Sequence, residues 1–394
     1  MRVRFISPWY PDYAHVHSGI FVAKQVDALR QAGLDVTVDV PQIFPAPPGP
    51  IPTAVTRAMH ELAETSLDAM FARRDGVTYA PTPTPSRGGP MGRAEAMKTS
   101  LSLLARIRGD AADVDHAHLG MPTAWAVAHS GDDLPLVVTE HQSTLAAVLS
   151  EPPAAEAYAD VVRRAASFIC VSPHLRAQIA DALGDWVLGR IEIVPNIVDL
   201  AHIPFRDRPT LEFSAWIYVG GLMPHKGVQH LLRTFAIYAK KHDDRAQLRL
   251  VGDGPLRGWI ETFATTRGIA DSVHLEGSVE HERLGRYLSE ADVMVHLSPA
   301  ETFGIAPLEG IGAGLPVIAL RNDGSLGTWG DIEEKCGAML SLDASPEKIA
   351  DVIAGLRDNP SRLDPAYGRK AVIDRFSPEI VASHLTEIYH RVLR

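Results

Sequence analysis

The chain has only two cysteines in 394 residues, no long apolar run, and no surplus of positive charge. Each shortage removes a class of protein. Cys170 and Cys336 lie far apart, and Cys170 sits inside the apolar stretch Phe168-Ile169-Cys170-Val171. A disulfide framework and a cysteine-rich metal site are therefore excluded, and the expected compartment is cytoplasmic. No run of about 18 or more apolar residues exists to span a bilayer. The opening Met1-Arg2-Val3-Arg4-Phe5-Ile6-Ser7-Pro8 lacks the apolar core of a signal peptide and reads as a first strand. Lys and Arg number 38 against 48 Asp and Glu, a net charge of −10, which argues against broad nucleic-acid binding. What remains is a globular composition, 46% hydrophobic and 22% charged, in a chain long enough for two domains.

Short β-branched runs alternate with helical periods from end to end. Strands are predicted at Val3–Ile6, Val36–Val40, Val114–Ala117, Leu136–Thr139, Phe168–Val171 and Ile191–Val194. A second series covers Ala215–Val219, Gln247–Val251, Val273–Leu275, Val293–Leu297 and Pro316–Leu320. Helices such as Ile20–Ala32, Val228–Lys240 and His281–Glu290 separate them, which implies parallel sheets with right-handed crossovers. The expected fold class is therefore α/β, with two Rossmann-like, doubly wound parallel-sheet domains. The junction falls in the proline-interrupted stretch Pro195–Pro209, giving domains at 1–198 and 199–375. Ser377-Pro378 opens a last helix within 376–394, expected to pack back on the first domain.

Two proline-rich stretches, Pro41–Pro52 and Pro81–Gly92, are expected to be extended loops. Nearby helical stretches carry Arg73, Arg74, Arg93, Lys98, Arg106 and Arg108. These residues form either a solvated face or an acceptor-recognition surface with at most weak peripheral membrane contact.

Ligands of open parallel sheets bind where loops leave the carboxyl ends of strands. After Ala215–Val219 comes Gly220-Gly221-Leu222-Met223-Pro224-His225-Lys226-Gly227, where glycines admit an anion to backbone N–H groups and Lys226 supplies a full charge. After Gln247–Val251 comes Gly252-Asp253-Gly254-Pro255-Leu256, which suits a structural turn and a ligand wall equally well. After Val293–Leu297 comes Ser298-Pro299-Ala300-Glu301-Thr302-Phe303-Gly304-Ile305-Ala306-Pro307-Leu308-Glu309. Glu301 and Glu309 are suited to binding vicinal hydroxyls. Glu309 lies in an otherwise apolar helix, where a carboxylate points to a ligand rather than to solvent.

In that spacing, and in Tyr218-Val219-Gly220-Gly221, Lys226-Gly227-Val228, Leu250-Val251-Gly252-Asp253-Gly254-Pro255-Leu256, Ile193-Val194-Pro195-Asn196, Ser18-Gly19-Ile20-Phe21-Val22 and Gly314-Leu315-Pro316-Val317, the chain resembles the retaining glycosyltransferases of family 4. The resemblance covers nearly the whole chain. It implies the GT-B architecture, two Rossmann-like domains facing a central cleft, and transfer of a hexose-type sugar from a nucleotide-diphosphate donor, UDP favoured over GDP. By the same resemblance Glu309 binds the ribose hydroxyls, Glu301 and the backbone of Phe303, Gly304 and Ile305 bind the donor sugar, and Lys226 holds the diphosphate. Gly19 passes close to the diphosphate, and the backbone at Ser278-Val279 edges the base. The family needs neither metal nor other cofactor, and the departing diphosphate itself takes the acceptor proton in a front-face attack. The acceptor is a small molecule, a saccharide or a lipid-linked sugar.

Two departures stand out. The family usually has arginine where Gly221 stands, and Arg321 after Pro316–Leu320 is a candidate substitute, worth about 2–4 kcal/mol of transition-state stabilisation. The family often shows a Gly-Gly pair followed by Glu where this chain has Asp323-Gly324-Ser325. The first half adds His15, His17, His116, His118 and Glu140-His141 to its own carboxyl rim. His116 and His118 share a face if extended, which leaves a metal site open. The resemblance instead assigns His118 to the donor sugar and His141 to the acceptor side, with His17 there too and Glu140 as a candidate base. A nucleotide-sugar epimerase and a catalytically inactive nucleotide-sugar-binding protein are the alternatives on the same fold.

Overall fold

The computed structural model describes residues 1–11, 18–45, 72–84, 89–107, 112–131, 133–209 and 212–394. His15, His17 and Arg108 lie outside them. Two compact units result, Met1–Pro195 with Val381–Arg394, and Asn196–Ile380.

Among the described residues the first unit holds eight strands: β1 (Arg2–Ile6), β2 (Asp35–Pro45), β3 (Ala72–Arg74), β4 (Val77–Thr84), β5 (Val114–His118), β6 (Leu136–Glu140), β7 (Ser167–Cys170) and β8 (Ile191–Ile193). They lie in the order β3-β4-β2-β1-β5-β6-β7-β8, parallel except for β3. Strands β5, β6 and β7 are buried on both faces, as parallel strands between helices must be. The helix Pro378–Val392 contributes Tyr389, fully buried, to this unit.

Strands β3 and β4 fall where the sequence suggested none, and β2 runs on through Pro41 to Pro45 instead of ending in a loop. The proline signal misled for a definite reason. Beyond Tyr79, where β3 ends, β4 pairs among the described residues on one side only, with β2. An edge strand needs only alternate N–H groups, and Pro81 and Pro83 occupy alternate positions while Thr82 and Thr84, which alternate with them, are buried. Residues 89–92, also expected to be extended, open the helix Gly89–Ile107. On that helix Lys98 pairs with Glu95 and lies 5.3 Å from the Trp125 ring centroid, while Arg74 pairs with Asp75.

The second unit holds β9 (Ala215–Val219), β10 (Gln247–Val251), β11 (Val273–Gly277), β12 (Val293–His296), β13 (Val317–Leu320) and β14 (Gly337–Leu340), in the order β11-β10-β9-β12-β13-β14. This is the doubly wound order whose direction reverses between β9 and β12. The helix Val228–Lys241 buries Val228, Leu231, Leu232, Phe235 and Tyr238 on one stripe, and Trp216 of β9 packs between Phe235 and Tyr238. Strand β14 escaped sequence reading because Gly337-Ala338-Met339-Leu340 has no β-branched residue. Gly337 is needed there, since a Cβ would stand 1.9 Å from the Val317 carbonyl oxygen. Among the described residues no helix is long and apolar enough to cross a membrane.

Candidate active site

In the second unit the loops leaving β9, β10 and β12 meet at the reversal point. Gly220 N–H donates to the Val251 carbonyl at 3.0 Å and Leu222 N–H to the Asp253 carbonyl at 2.9 Å. A Cβ on Gly252 would stand 2.0 Å from the Gly220 oxygen, and one on Gly254 would stand 2.6 Å from the Leu222 oxygen. Backbone packing thus accounts for these two glycines by itself. Gly221 is different. A Cβ there meets nothing nearer than the Met223 Cγ at 3.3 Å, so a side chain fits once the flexible Met223 side chain gives by a few tenths of an ångström. The Tyr218 hydroxyl donates to the Gly221 carbonyl at 2.9 Å and steadies the turn.

The turn delivers Lys226 to Glu301. Lys226 Nζ donates to both carboxylate oxygens, at 2.9 and 3.0 Å, and the Glu301 side chain is only 10% exposed. Burial pushes the Glu301 carboxyl up, but His296, Lys226 and the Ser298 hydroxyl together hold it below the usual range, so it stays ionised. His296 Nε2 is 3.9 Å from Glu301, and its ring stacks on Tyr218 at 5.4 Å. Burial dominates at His296 and lowers its pKa. Glu301 is fixed from behind as well. Asn322 Nδ2 donates to the Ser298 carbonyl at 3.0 Å, and Gly324 lies so close that a Cβ would stand 2.1 Å from the Glu301 carbonyl oxygen. The Asp323-Gly324-Ser325 departure therefore keeps a glycine where the backbone demands one.

Gly304, at φ 88°, starts the helix Ile305–Ala313 with no side-chain cap, and nothing within 3.8 Å opposes a Cβ there. The first N–H groups of that helix thus lack a side-chain acceptor from the N-cap residue, while Phe303 is buried edge-on against Phe376. Glu309, one turn into the helix, is 6% exposed and 3.6 Å from His281 Nδ1. Ser278 is exposed and Val279 half-buried, between β11 and the helix His281–Ser289. Arg321 turns elsewhere. Its guanidinium donates to Glu333 at 2.6 Å and to the Met339 carbonyl, on the β14 side of the sheet and not on the Lys226–Glu301 pair.

In the first unit the histidines of β5 form a column. His116 and His118 stack at 4.6 Å, His118 and His141 at 5.2 Å, with Phe5 against the first two and Phe21 against the third. His116 has both ring nitrogens engaged, at 2.7 Å to the Tyr389 hydroxyl and 2.7 Å to the Thr139 hydroxyl. That leaves it nothing to offer a metal, and among the described residues no group of three His, Cys, Asp or Glu is placed to hold one. Glu140, the candidate base, is consumed by its own domain. It accepts from the N–H groups of Gly120, His141 and Gln142 and from the Tyr158 hydroxyl, all within 3.0 Å. Burial still raises its pKa against those four donors. Its geometry makes it a brace for the turn after β6. Gly19, at φ 62°, caps the helix Ile20–Gln31, and a Cβ would stand 2.1 Å from the Trp9 carbonyl oxygen.

The column sets a pH response. Burial, then His141, pushes His116 down to about 3, and burial, then His116 and His141, pushes His118 well below the histidine range. In the unfolded chain both take up protons near pH 6.5, which the folded state refuses until far lower. The unfolded state then binds more protons, so stability falls as pH drops below 6.5, by up to about 1.4 kcal/mol per pH unit for each histidine. The urea midpoint is expected to fall between pH 7 and pH 5, with a shallower fall in His118→Asn. A midpoint independent of pH in that window contradicts this reading.

Four residues of the site, His296, His281, Asn322 and Tyr218, have no site role in the sequence expectations. His296 carries a signal nonetheless. It is the last residue of β12, whose predicted span runs one residue further, to Leu297, so the loop residues considered begin beyond it.

The family described as Glycosyltransferase Family 4 matches residues 18–202, and that described as Glycosyl transferases group 1 matches residues 210–371. The chain belongs to the family 4 glycosyltransferases. This glycosyltransferase is 26% identical to glycogen synthase of Mycobacterium tuberculosis, over 99% of the chain and 94% of that protein. Its fold matches sucrose-phosphate synthase of Thermosynechococcus elongatus with a TM-score of 0.74 at 18% identity, covering 100% and 99% of the two chains. It also matches HepE of Anabaena in complex with UDP and glucose, with a TM-score of 0.66 at 15% identity over 98% of each chain. The glycosyltransferase thus has the GT-B architecture.

Proposed function

We propose that the enzyme moves a hexose from a nucleoside diphosphate, UDP before GDP, to a saccharide hydroxyl with retention at the anomeric carbon and without metal or other cofactor. The observation that carries this is the bidentate Lys226–Glu301 pair at the reversal point of the sheet. When a donor enters, Lys226 turns to the diphosphate and offsets its charge. Glu301, kept ionised, is then left to accept from sugar hydroxyls. The uncapped N–H groups at Gly304 and Ile305, with the backbone of Phe303, face the same ligand. Glu309 takes the ribose hydroxyls, and the backbone at Ser278-Val279 edges the base. Lysine and helix N-terminus supply the positive charge that a divalent cation would otherwise bring. The leaving diphosphate is the proton acceptor for the incoming hydroxyl, which suits a site whose nearby carboxylates are bound to other groups. The HepE complex supports UDP, and the full-length likeness to a glycogen synthase supports a saccharide acceptor.

Thermal denaturation with UDP, GDP and their hexose conjugates tests the donor. A nucleotide at a hundred times its Kd stabilises by about 2.7 kcal/mol. UDP and UDP-hexoses are expected to shift the midpoint most, and no shift with any of these compounds would falsify the reading. The anomeric proton coupling of the product reports retention or inversion directly.

Gly221 permits a constructive test. The position has side-chain room beside the diphosphate turn. Gly221→Arg is expected to tighten UDP binding about tenfold, the order of one charge-assisted hydrogen bond. Calorimetry at two salt concentrations checks it, and weaker binding in the variant contradicts the placement of the diphosphate.

A further inference from the structure

His118 is fully buried, yet its Nε2 has no partner among the described residues. Its other nitrogen, Nδ1, lies 3.0 Å from His141 Nε2. A contact between two ring nitrogens holds one proton, donated by one ring and accepted by the other. His118 is neutral at ordinary pH, so the state of His141 Nε2 decides whether His118 Nε2 carries a proton or a bare lone pair. The rings cannot turn freely. Their planes lie 17° apart, Phe21 closes the far side of His141 at 4.6 Å, and His116 with Phe5 closes the far side of His118. His116 in turn is pinned by Tyr389 and Thr139. The backbone of His141 is tied too, its N–H donating to Glu140 at 2.9 Å.

We infer that His141 is a positioning residue, holding neutral His118 in one tautomer and one ring orientation so that Nε2 is presented to a ligand hydroxyl. This departs from the expectation that His141 touches the acceptor, and it rests on the reading that His118 serves the donor sugar. An unpartnered buried polar atom is destabilising, and a ligand hydroxyl at Nε2 relieves that cost on binding. His141 therefore acts on donor cleavage even when no acceptor is present.

The experiment is slow hydrolysis of UDP-glucose without acceptor, measured for the wild type, His141→Phe and His141→Gln, with UDP affinity measured alongside by calorimetry. Phenylalanine keeps the stack against Phe21 and His118 but removes the ring nitrogen. Glutamine restores a polar partner. His141→Phe is expected to lower the hydrolysis kcat about 10–100-fold, the usual scale for groups that orient an active imidazole, with UDP affinity within about twofold. His141→Gln recovers part of that activity. The 15N signals of the His118 imidazole are expected to show one neutral tautomer in the wild type and an exchange average in His141→Phe. Unchanged hydrolysis in His141→Phe overturns the inference, and so does slower hydrolysis accompanied by an unaltered His118 tautomer. Failure of the wild type to bind UDP or GDP sinks the donor-site reading instead, and is recognised by calorimetry before any variant is made.

Discussion

Replacing Lys226 with alanine is expected to lower kcat/KM about 10²–10³-fold, the scale of removing one preorganised charge from a transition state. Two features of the site raise that expectation. Gly221 carries no charge, and Arg321 is held by Glu333 on the β14 side. Lys226 is thus the cation that the phosphate turn itself brings to the reversal point. The change also acts on the unliganded protein, because the Glu301 side chain, 10% exposed, no longer receives either lysine hydrogen bond. Its carboxyl then sits nearer the upward push of burial, leaving His296 and Ser298 to counter it. Glu301 at present stabilises the fold above the ordinary glutamate pKa, and that contribution disappears as pH falls through its depressed folded value. Lys226→Ala brings the folded value nearer the unfolded one, so this contribution shrinks. Lys226→Gln, which keeps one donor, separates the effect of charge from that of packing. Activity within threefold of wild type in both variants contradicts the assignment.

The second large effect is on folding. Gly227→Ala is expected to destabilise the second unit by about 3 kcal/mol or more, combining a left-handed backbone at φ 70° with a Cβ placed 1.8 Å from the Leu297 carbonyl oxygen. Neither atom belongs to a flexible side chain, so the turn or β12 itself must move. A shift of roughly 6–12 °C in the melting midpoint follows for a domain of this size. Calorimetric scanning measures it, with Gly258→Ala as the control, since a Cβ there meets nothing within 4 Å. Equal midpoints for the two variants contradict the role given to Gly227. Because Gly227 sits directly after Lys226 and against the strand that leads to Glu301, a surviving Gly227→Ala protein should also bind donor poorly.

Much of the second unit was legible in sequence. Five of its strands carry β-branched runs, and the residues after β9 and β12 are the ones that meet as Lys226 and Glu301. The buried setting of Glu309 was legible too, because a carboxylate inside an apolar helix has few cheap places to go. The errors share a cause. Sequence patterns report what a residue prefers locally, whereas β4 tolerates Pro81 and Pro83 because, among the described residues, no strand pairs with its outer side beyond Tyr79, and β14 forms without β-branched residues because Gly337 fits against Val317. Glu140 shows the same limit in the first unit. Its type and position suited a base, but only the fold reveals that Gly120, His141, Gln142 and Tyr158 already occupy it. The histidine column was half visible, since period-two spacing puts His116 and His118 on one face. That His116 is saturated, while His118 keeps a nitrogen with no partner among the described residues, depends on Tyr389, which lies 273 residues away in the chain.

The most direct measurement is titration of the wild-type enzyme and Lys226→Ala with UDP by calorimetry, with GDP as the second ligand. The expected result is one nucleotide bound per chain in the wild type, with a salt-dependent affinity that falls at least tenfold in the variant. Equal affinity in the two proteins, or no binding of either nucleotide to the wild type, would contradict a donor site built on Lys226 and Glu301.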